Sequence, residues 1–176
     1  MDMTGKTIMI TGASRGIGAA AARVFAEAGA NVALLARSQD AIAELAGELG
    51  KRAIAIPCDV TRYNEMTSAV ETTRRAFGGL DVLINNAGVG ITGPIEETPH
   101  EEILHVFDTN FHGPVHVMKA VLPQMRQQGS GAIINITSIA GYMGLPFRGF
   151  YSATKGALGL ITEALRMETK DFGLTI

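Results

Sequence analysis

Short runs in which nearly every residue is apolar alternate along this chain with longer segments whose apolar residues recur at helical spacing. The runs are Thr7 to Thr11, Asn31 to Ala36, Ala53 to Ile56, Asp81 to Asn85 and Ala132 to Ile136. A strand with one wet face alternates apolar and polar positions, whereas a strand covered on both faces does not. These five runs therefore predict a parallel sheet buried between helices, with the period-3.6 segments as its crossovers. Helices are expected over Arg15 to Ala28, Gln39 to Leu49, Arg62 to Phe77, Pro99 to Gln127 and Tyr151 to Phe172. The fold class expected is α/β, a doubly wound parallel sheet of the Rossmann type with helices on both faces, formed as a single domain over residues 1–176.

Several boundaries have a chemical reason. Ser38 is placed to cap the second helix, and Thr98 with Glu101 three residues later has the pattern of a capping box, with Pro99 at the first helical position. Gly29, Gly50, Gly78 and Gly129 fall where helices should stop. Gly113 and Pro114 interrupt the long fourth helix, which is expected to kink or restart near Asn110. Leu174 to Ile176 reads as the opening of a sixth strand. With nothing after it, the fifth strand is expected at or near an exposed sheet edge, and the chain is read as truncated at its C-terminal side.

Composition narrows the partners. The 15 basic and 17 acidic residues leave a formal charge of −2, which gives no electrostatic footprint for nucleic acid or an anionic membrane. Cys58 is the only cysteine, so a disulfide framework and a multi-cysteine zinc site are excluded, and a reducing cytoplasm is the expected compartment. The acidic Asp2 and the early start of the first strand argue against a leader, and no stretch reaches the ~20 apolar residues of a membrane span.

Three glycines stand at the first strand-to-helix junction, in Thr11-Gly12-Ala13-Ser14-Arg15-Gly16-Ile17-Gly18. Gly12 permits a tight turn, Gly16 lets backbone approach a pyrophosphate, and Gly18 lets the helix pack closely on the strand. Free N–H groups at the helix start would then face the phosphates. The same glycines could also serve an ordinary helix entry.

This spacing resembles that of the short-chain dehydrogenase/reductase family, and the resemblance continues along the chain. It includes Asp59-Val60 after the third strand, Asn85-Asn86-Ala87-Gly88 after the fourth, Asn110, Ser138 after the fifth, and Tyr151-x-x-x-Lys155. Six motifs in the family's order imply an oxidoreductase that moves a hydride between a nicotinamide cofactor and a carbonyl or secondary alcohol. The glycine loop, including Ser14, Arg15 and Ile17, would hold the cofactor; Asp59 and Val60 would meet the adenine, and Asn86, Ala87 and Gly88 would support the adenosine side. Asp59 could instead only cap the following helix.

Strand two ends in Ala36-Arg37-Ser38, where an NAD site would offer a carboxylate to the ribose hydroxyls. Arg37 and Arg15 could instead pair with a ribose phosphate, which implies NADPH/NADP+ in preference to NADH. Their alternative is an ordinary solvated surface.

Tyr151 and Lys155 are four apart and so share one helix face. An unperturbed tyrosine titrates near ~10, and a neighbouring ammonium stabilises its phenolate. By resemblance, Tyr151 exchanges the proton, Ser138 positions the carbonyl, Lys155 also holds the nicotinamide ribose, and Asn110 keeps a water in the proton relay. Taken singly, these residues could be a turn former, a packing residue and a solvated lysine. His112 and His116 have helical i, i+4 spacing but no accompanying third ligand, so no metal site is read there.

Phe107, Phe111, Val115, Met118, Val121 and Leu122, and Ala153, Ala157, Leu158, Leu160, Ile161 and Leu165, spread over more than one helix stripe. With Gly156 and Gly159 among them, they predict a homodimer or homotetramer. Met143, Leu145, Pro146, Phe147 and Phe150 suggest an apolar wall for a small-molecule substrate. Two other activities are compatible with the motifs: a cofactor-binding protein without turnover, and epimerase or dehydratase chemistry.

Overall fold

The computed structural model of the chain describes residues 3–176, so Asp2 lies outside the described residues. Six strands form one sheet: β1 (Thr7–Thr11), β2 (Asn31–Ala36), β3 (Ala53–Pro57), β4 (Val82–Asn85), β5 (Gly131–Asn135) and β6 (Leu174–Thr175). All pairings are parallel, in the order β3-β2-β1-β4-β5-β6. Six helices connect them: α1 (Gly16–Glu27), α2 (Gln39–Leu49), α3 (Tyr63–Phe77), α4 (His100–Phe107), α5 (Gly113–Gln128) and α6 (Gly149–Glu168).

The runs of β1, β2 and β4 are buried on both sides, as the absence of alternation required, whereas β3 and β5 are only partly covered. Ile8, Ile10, Val32, Leu34 and Ile84 pack with Ala19 and Ala22 of α1 and Ile42 and Leu45 of α2. Their sequence neighbours Met9, Ala33, Leu35 and Leu83, with Ile133, pack on the opposite face against Met66 and Val70 of α3, Val117 and Val121 of α5, and Leu165 of α6. Successive side chains of a strand thus feed two separate cores. The α1 and α2 layer does not reach β5, where Ile134 is 44% exposed. β6 pairs with β5 only through Leu174 opposite Gly131 and Thr175 opposite Ala132, so β5 lies next to a very short edge, as expected.

The long fourth helix is two helices. α4 ends at Phe107, a π-helical turn occupies Asp108–His112, and α5 starts at Gly113 with Pro114 in its first turn. The break spans Asn110, near where Gly113 and Pro114 implied it. Its cause includes a close approach, since a Cβ on Gly113 would stand 2.8 Å from a Val60 methyl group. The fifth predicted helix starts two residues earlier than read and ends at Glu168, leaving Lys170–Phe172 as a separate 3₁₀ turn.

Two expected caps do not form. Ser38 occupies the cap position of α2 without a side-chain hydrogen bond. Pro99, not Thr98, caps α4, because the Thr98 hydroxyl donates to the Pro94 carbonyl at 2.6 Å and so closes the preceding turn instead. Gly78 and Gly129 do terminate α3 and α5 in the left-handed conformation. Among the described residues, no helix is long and apolar enough to cross a membrane.

Candidate active site

At the carboxyl end of β1 the chain must turn sharply into α1, and the glycines permit it. Gly12 has φ +66° and Gly16 φ +58°, conformations that cost any other residue about 1 kcal/mol or more. A Cβ on Gly12 would stand 2.8 Å from the Ala87 Cα, and one on Gly18 would stand 2.4 Å from the Gly12 carbonyl oxygen. Gly16 differs, since nothing lies within 4 Å of where its Cβ would be. Two glycines therefore serve close packing, and the third leaves open space at the N-terminus of α1.

A hydrogen-bonded clasp fixes this loop to the end of β4. The Asn86 amide donates to the carbonyls of Thr11 (3.0 Å) and Gly12 (3.1 Å), while the Thr11 hydroxyl accepts from the backbone N–H groups of Asn86 and Ala87 at 3.0 and 3.1 Å. β1 and β4 are neighbours whose helices leave to opposite faces, and ligands of open α/β sheets bind in the resulting crevice.

A cavity of about 600 Å³ occupies that crevice. Gly12, Ser14, Arg15, Gly16, Ile17, Arg37, Asp59, Val60, Asn86, Ala87 and Gly88 all line it. Gly18 lies behind the wall, where its bare Cα supports the turn. The volume is within the range of small-molecule and cofactor sites. No side chain fills the space over Gly16, so backbone N–H groups at the start of α1 are accessible to a phosphate, and the residues present fit a dinucleotide.

Asp59 has a structural role and remains available for another. Its Oδ1 accepts from the Thr61 N–H at 3.0 Å and the Thr61 hydroxyl at 2.9 Å, closing the turn before α3. Burial disfavours its charged form, but these two hydrogen bonds and the nearby Arg37 and Arg62 outweigh it, holding the carboxyl below its usual range. Cys58 beside it is buried; burial first, then the charges of Glu65 and Asp59, push its thiol up to about 12.

Gly88 joins the cavity to the predicted reacting groups. A Cβ there would stand 3.3 Å from Asn110 Oδ1 and 3.6 Å from Lys155 Nζ. Lys155 is buried and donates to the Ile136 carbonyl at 2.7 Å, which leaves two of its three N–H donors free. Burial pushes its ammonium below the usual lysine range. Asn110 is fully buried. Its Oδ1 accepts from Val89 N–H at 2.8 Å, and its amide nitrogen donates to the Val89 carbonyl (2.9 Å) and the Thr154 hydroxyl (3.2 Å). The π-helical turn is what presents Asn110 to these partners.

Tyr151 is half-buried in the first turn of α6, one turn before Lys155. Ser138 follows β5, two residues past the carbonyl that Lys155 holds; its hydroxyl accepts from Ala140 N–H at 3.2 Å and opens a 3₁₀ turn. That turn is pressed onto α6, because a Cβ on Gly141 would stand 2.9 Å from the Lys155 carbonyl carbon. The end of β5 and the start of α6 are thereby fixed together.

Sequence comparisons agree with the geometry. Residues 6–176 match the family model described as short chain dehydrogenase. The chain belongs to the short-chain dehydrogenase family. A ketoacyl reductase of Nostoc sp., HetN, is 40% identical over 177 residues, and a 3-ketodihydrosphingosine reductase of Bacteroides thetaiotaomicron is 41% identical over 174. Each alignment covers 99% of this chain and 62% of the relative, so the chain spans less than two thirds of their length. A short-chain dehydrogenase structure from Streptomyces avermitilis superposes with a TM-score of 0.93 at 38% identity, over 97% of this chain and 62% of that one.

In this member of the family the two histidines have different partners. His112 Nδ1 is 2.9 Å from an Asp108 carboxylate oxygen, and His116 Nδ1 donates to the Val60 carbonyl at 3.1 Å. Among the described residues no group of three or more metal-ligating side chains converges. Of the helix residues read as apolar over more than one stripe, Met118, Val121, Leu158 and Leu165 are in the chain's own core, whereas Leu160 is exposed. Ser38, Val89 and Thr109 line the cavity and were not predicted to. Val89 follows Gly88 and Thr109 precedes Asn110, so adjacency to a motif was the available signal. Thr154, the partner of Asn110, had none.

The burial of Lys155 sets the sign of a pH effect. Between its lowered folded value and 10.5, the unfolded chain holds more protons, so stability rises with pH through that window. Urea denaturation across alkaline pH should show Lys155→Met losing stability relative to the parent as pH increases; a pH-independent difference would contradict it.

Proposed function

We propose that the chain transfers a hydride between NADP(H) and a ketone or secondary alcohol, with Tyr151 as general acid/base. The observation that carries this reading is the position of Lys155 Nζ, beside Gly88 at the edge of the glycine-loop cavity and one helical turn from Tyr151. A bound nicotinamide supplies or accepts the hydride. The protein's part is to bind, orient and move the proton.

Lys155 has two free donors for ribose hydroxyls, and its positive charge favours loss of the proton from a neighbouring phenol. Tyr151 then gives its proton to the oxygen of a ketone being reduced, and takes it back in the reverse direction. Ser138 offers a hydroxyl donor to that oxygen as charge develops on it, while its lone pair remains bound to Ala140 N–H. Both donors of the Asn110 amide nitrogen are committed, to Val89 and Thr154, so a water of the proton relay would be held by one of the residue's oxygens.

NADPH is favoured over NADH by Arg15 and Arg37, both exposed and both lining the cavity near Ser14 and Ser38. Asp59 Oδ2, free of the Thr61 turn, would accept the adenine amino group. The names of the Nostoc and Bacteroides relatives are those of ketone reductases, which supports a ketone as substrate. Leu104, Leu160 and Met167, exposed on α4 and α6, are residues a second copy would cover in a homodimer or homotetramer. The buried Cys58 agrees with a reducing cytoplasm.

Tyr151→Phe should lower kcat by about two orders of magnitude or more while NADPH binding, read by nicotinamide fluorescence, persists; retained turnover would remove Tyr151 from the reaction. Arg37→Asp should lower the NADPH-to-NADH ratio of kcat/KM by about tenfold or more. An unchanged ratio would leave the phosphate preference without support.

A further inference from the structure

Two loops frame the entrance beside Tyr151. Residues 89–98 follow Gly88, and residues 142–148 lead into α6. They are joined where Gly93 N–H donates to the Phe147 carbonyl at 2.9 Å, and a Cβ on Gly149 would stand 3.6 Å from the Ile95 side chain. Ile95, Met143, Leu145 and Phe147 are all exposed here, at 36–70% of their surface. Four large apolar side chains on two joined loops, one of them leading into the helix that carries Tyr151, form an open wall against which an apolar tail can lie.

Arg148 stands between the loops. Its guanidinium carbon is 6.0 Å from the Tyr151 ring centroid, at the outer limit of a cation-π contact. One terminal nitrogen is 3.8 Å from where a Cβ on Gly90 would be, so the guanidinium lies against the first loop. Among the described residues the guanidinium makes no side-chain hydrogen bond or ion pair, although Glu96 and Glu97 lie on the first loop and Glu101 and Glu102 just after it. Arg23, Arg62, Arg74 and Arg75 are each paired with a glutamate; Arg148 is among the arginines that are not, with Arg15 and Arg37 of the cavity and Arg52, Arg126 and Arg166. A planar cation with five donors, held over the reacting tyrosine without a protein anion, is suited to receive one from a ligand.

We infer that Arg148 determines specificity, selecting ketones that carry an anionic group close to the carbonyl and an apolar portion that lies along Ile95, Met143, Leu145 and Phe147. A carboxylate or a phosphate has the required bidentate geometry. The inference rests on the ketone-reductase reading for the presence of a carbonyl, and on Arg148 alone for the anion.

Benzoylformate and its methyl ester test it, since both present a phenyl group and a ketone but only the first carries a charge. Binding of each to the NADP+-saturated protein is measured by calorimetry, and NADPH oxidation with each is followed separately. The parent should bind benzoylformate about tenfold or more tightly than the ester. Arg148→Gln should bring the two affinities together, and Arg148→Lys should restore part of the difference. No preference in the parent, or a preference that survives in Arg148→Gln, would overturn the inference. A binding preference without reduction of either compound would remove the ketone-reductase reading and leave Arg148 as an anion-selecting residue.

Discussion

The hydrogen bonds from Asn86 to the Thr11 and Gly12 carbonyls are the constraint on which the site depends. Parallel strands must be connected by crossovers, and in the order β3-β2-β1-β4-β5-β6 the crossovers leave to opposite faces on either side of the β1/β4 boundary. A crevice opens there for topological reasons. The clasp sets its floor, since it draws the glycine loop against Ala87 until only a glycine fits at position 12. Without it, the start of α1 and the turn after β4 would be two independent loops.

The crevice has two chemically different ends. Toward β2 and β3 it is polar and basic, with Arg15, Arg37, Ser14, Ser38 and the low-titrating Asp59. Beyond Gly88 it meets buried groups held in place by hydrogen bonds: Asn110 to Val89 and Thr154, and Lys155 to Ile136 with two donors to spare. Preorganisation of this kind keeps donors in place without reorganisation when charge develops on a substrate. The π-helical turn at Asp108–His112 belongs to the same design, because a regular α-helix through residues 100–128 would place Asn110 on a different heading.

The sheet and the glycine loop were legible because their causes are local. Apolar runs buried on both faces read directly as parallel strands, and the three glycines marked the first turn by spacing alone. The interrupted fourth helix was legible in Gly113 and Pro114, but not the π-helical form of the break, which reflects the packing of Gly113 on Val60 some fifty residues away. The caps failed for a related reason. Ser38 faces the cavity rather than its own helix, and Thr98 closes a turn with Pro94. Asp59 was read as facing a ligand or capping the next helix; its carboxylate caps no helix but closes the Thr61 turn ahead of α3, with Oδ2 left over. Thr154 and Arg148 were illegible, since each acquires its surroundings only when distant segments meet.

The central claim is that the open space over Gly16 receives the phosphates of a nicotinamide dinucleotide, and one titration tests it most directly. NADPH added to the parent and to Gly16→Ala, with nicotinamide fluorescence as the signal, reads binding without requiring a substrate. Saturable binding of one NADPH per chain is expected, weakened about tenfold or more by the added methyl group, while thermal unfolding falls by only a few degrees, the effect of about 1 kcal/mol of strain at φ +58° with no protein atom within 4 Å of the methyl. Absence of saturable binding, or equal affinity in the two proteins, would contradict the assignment.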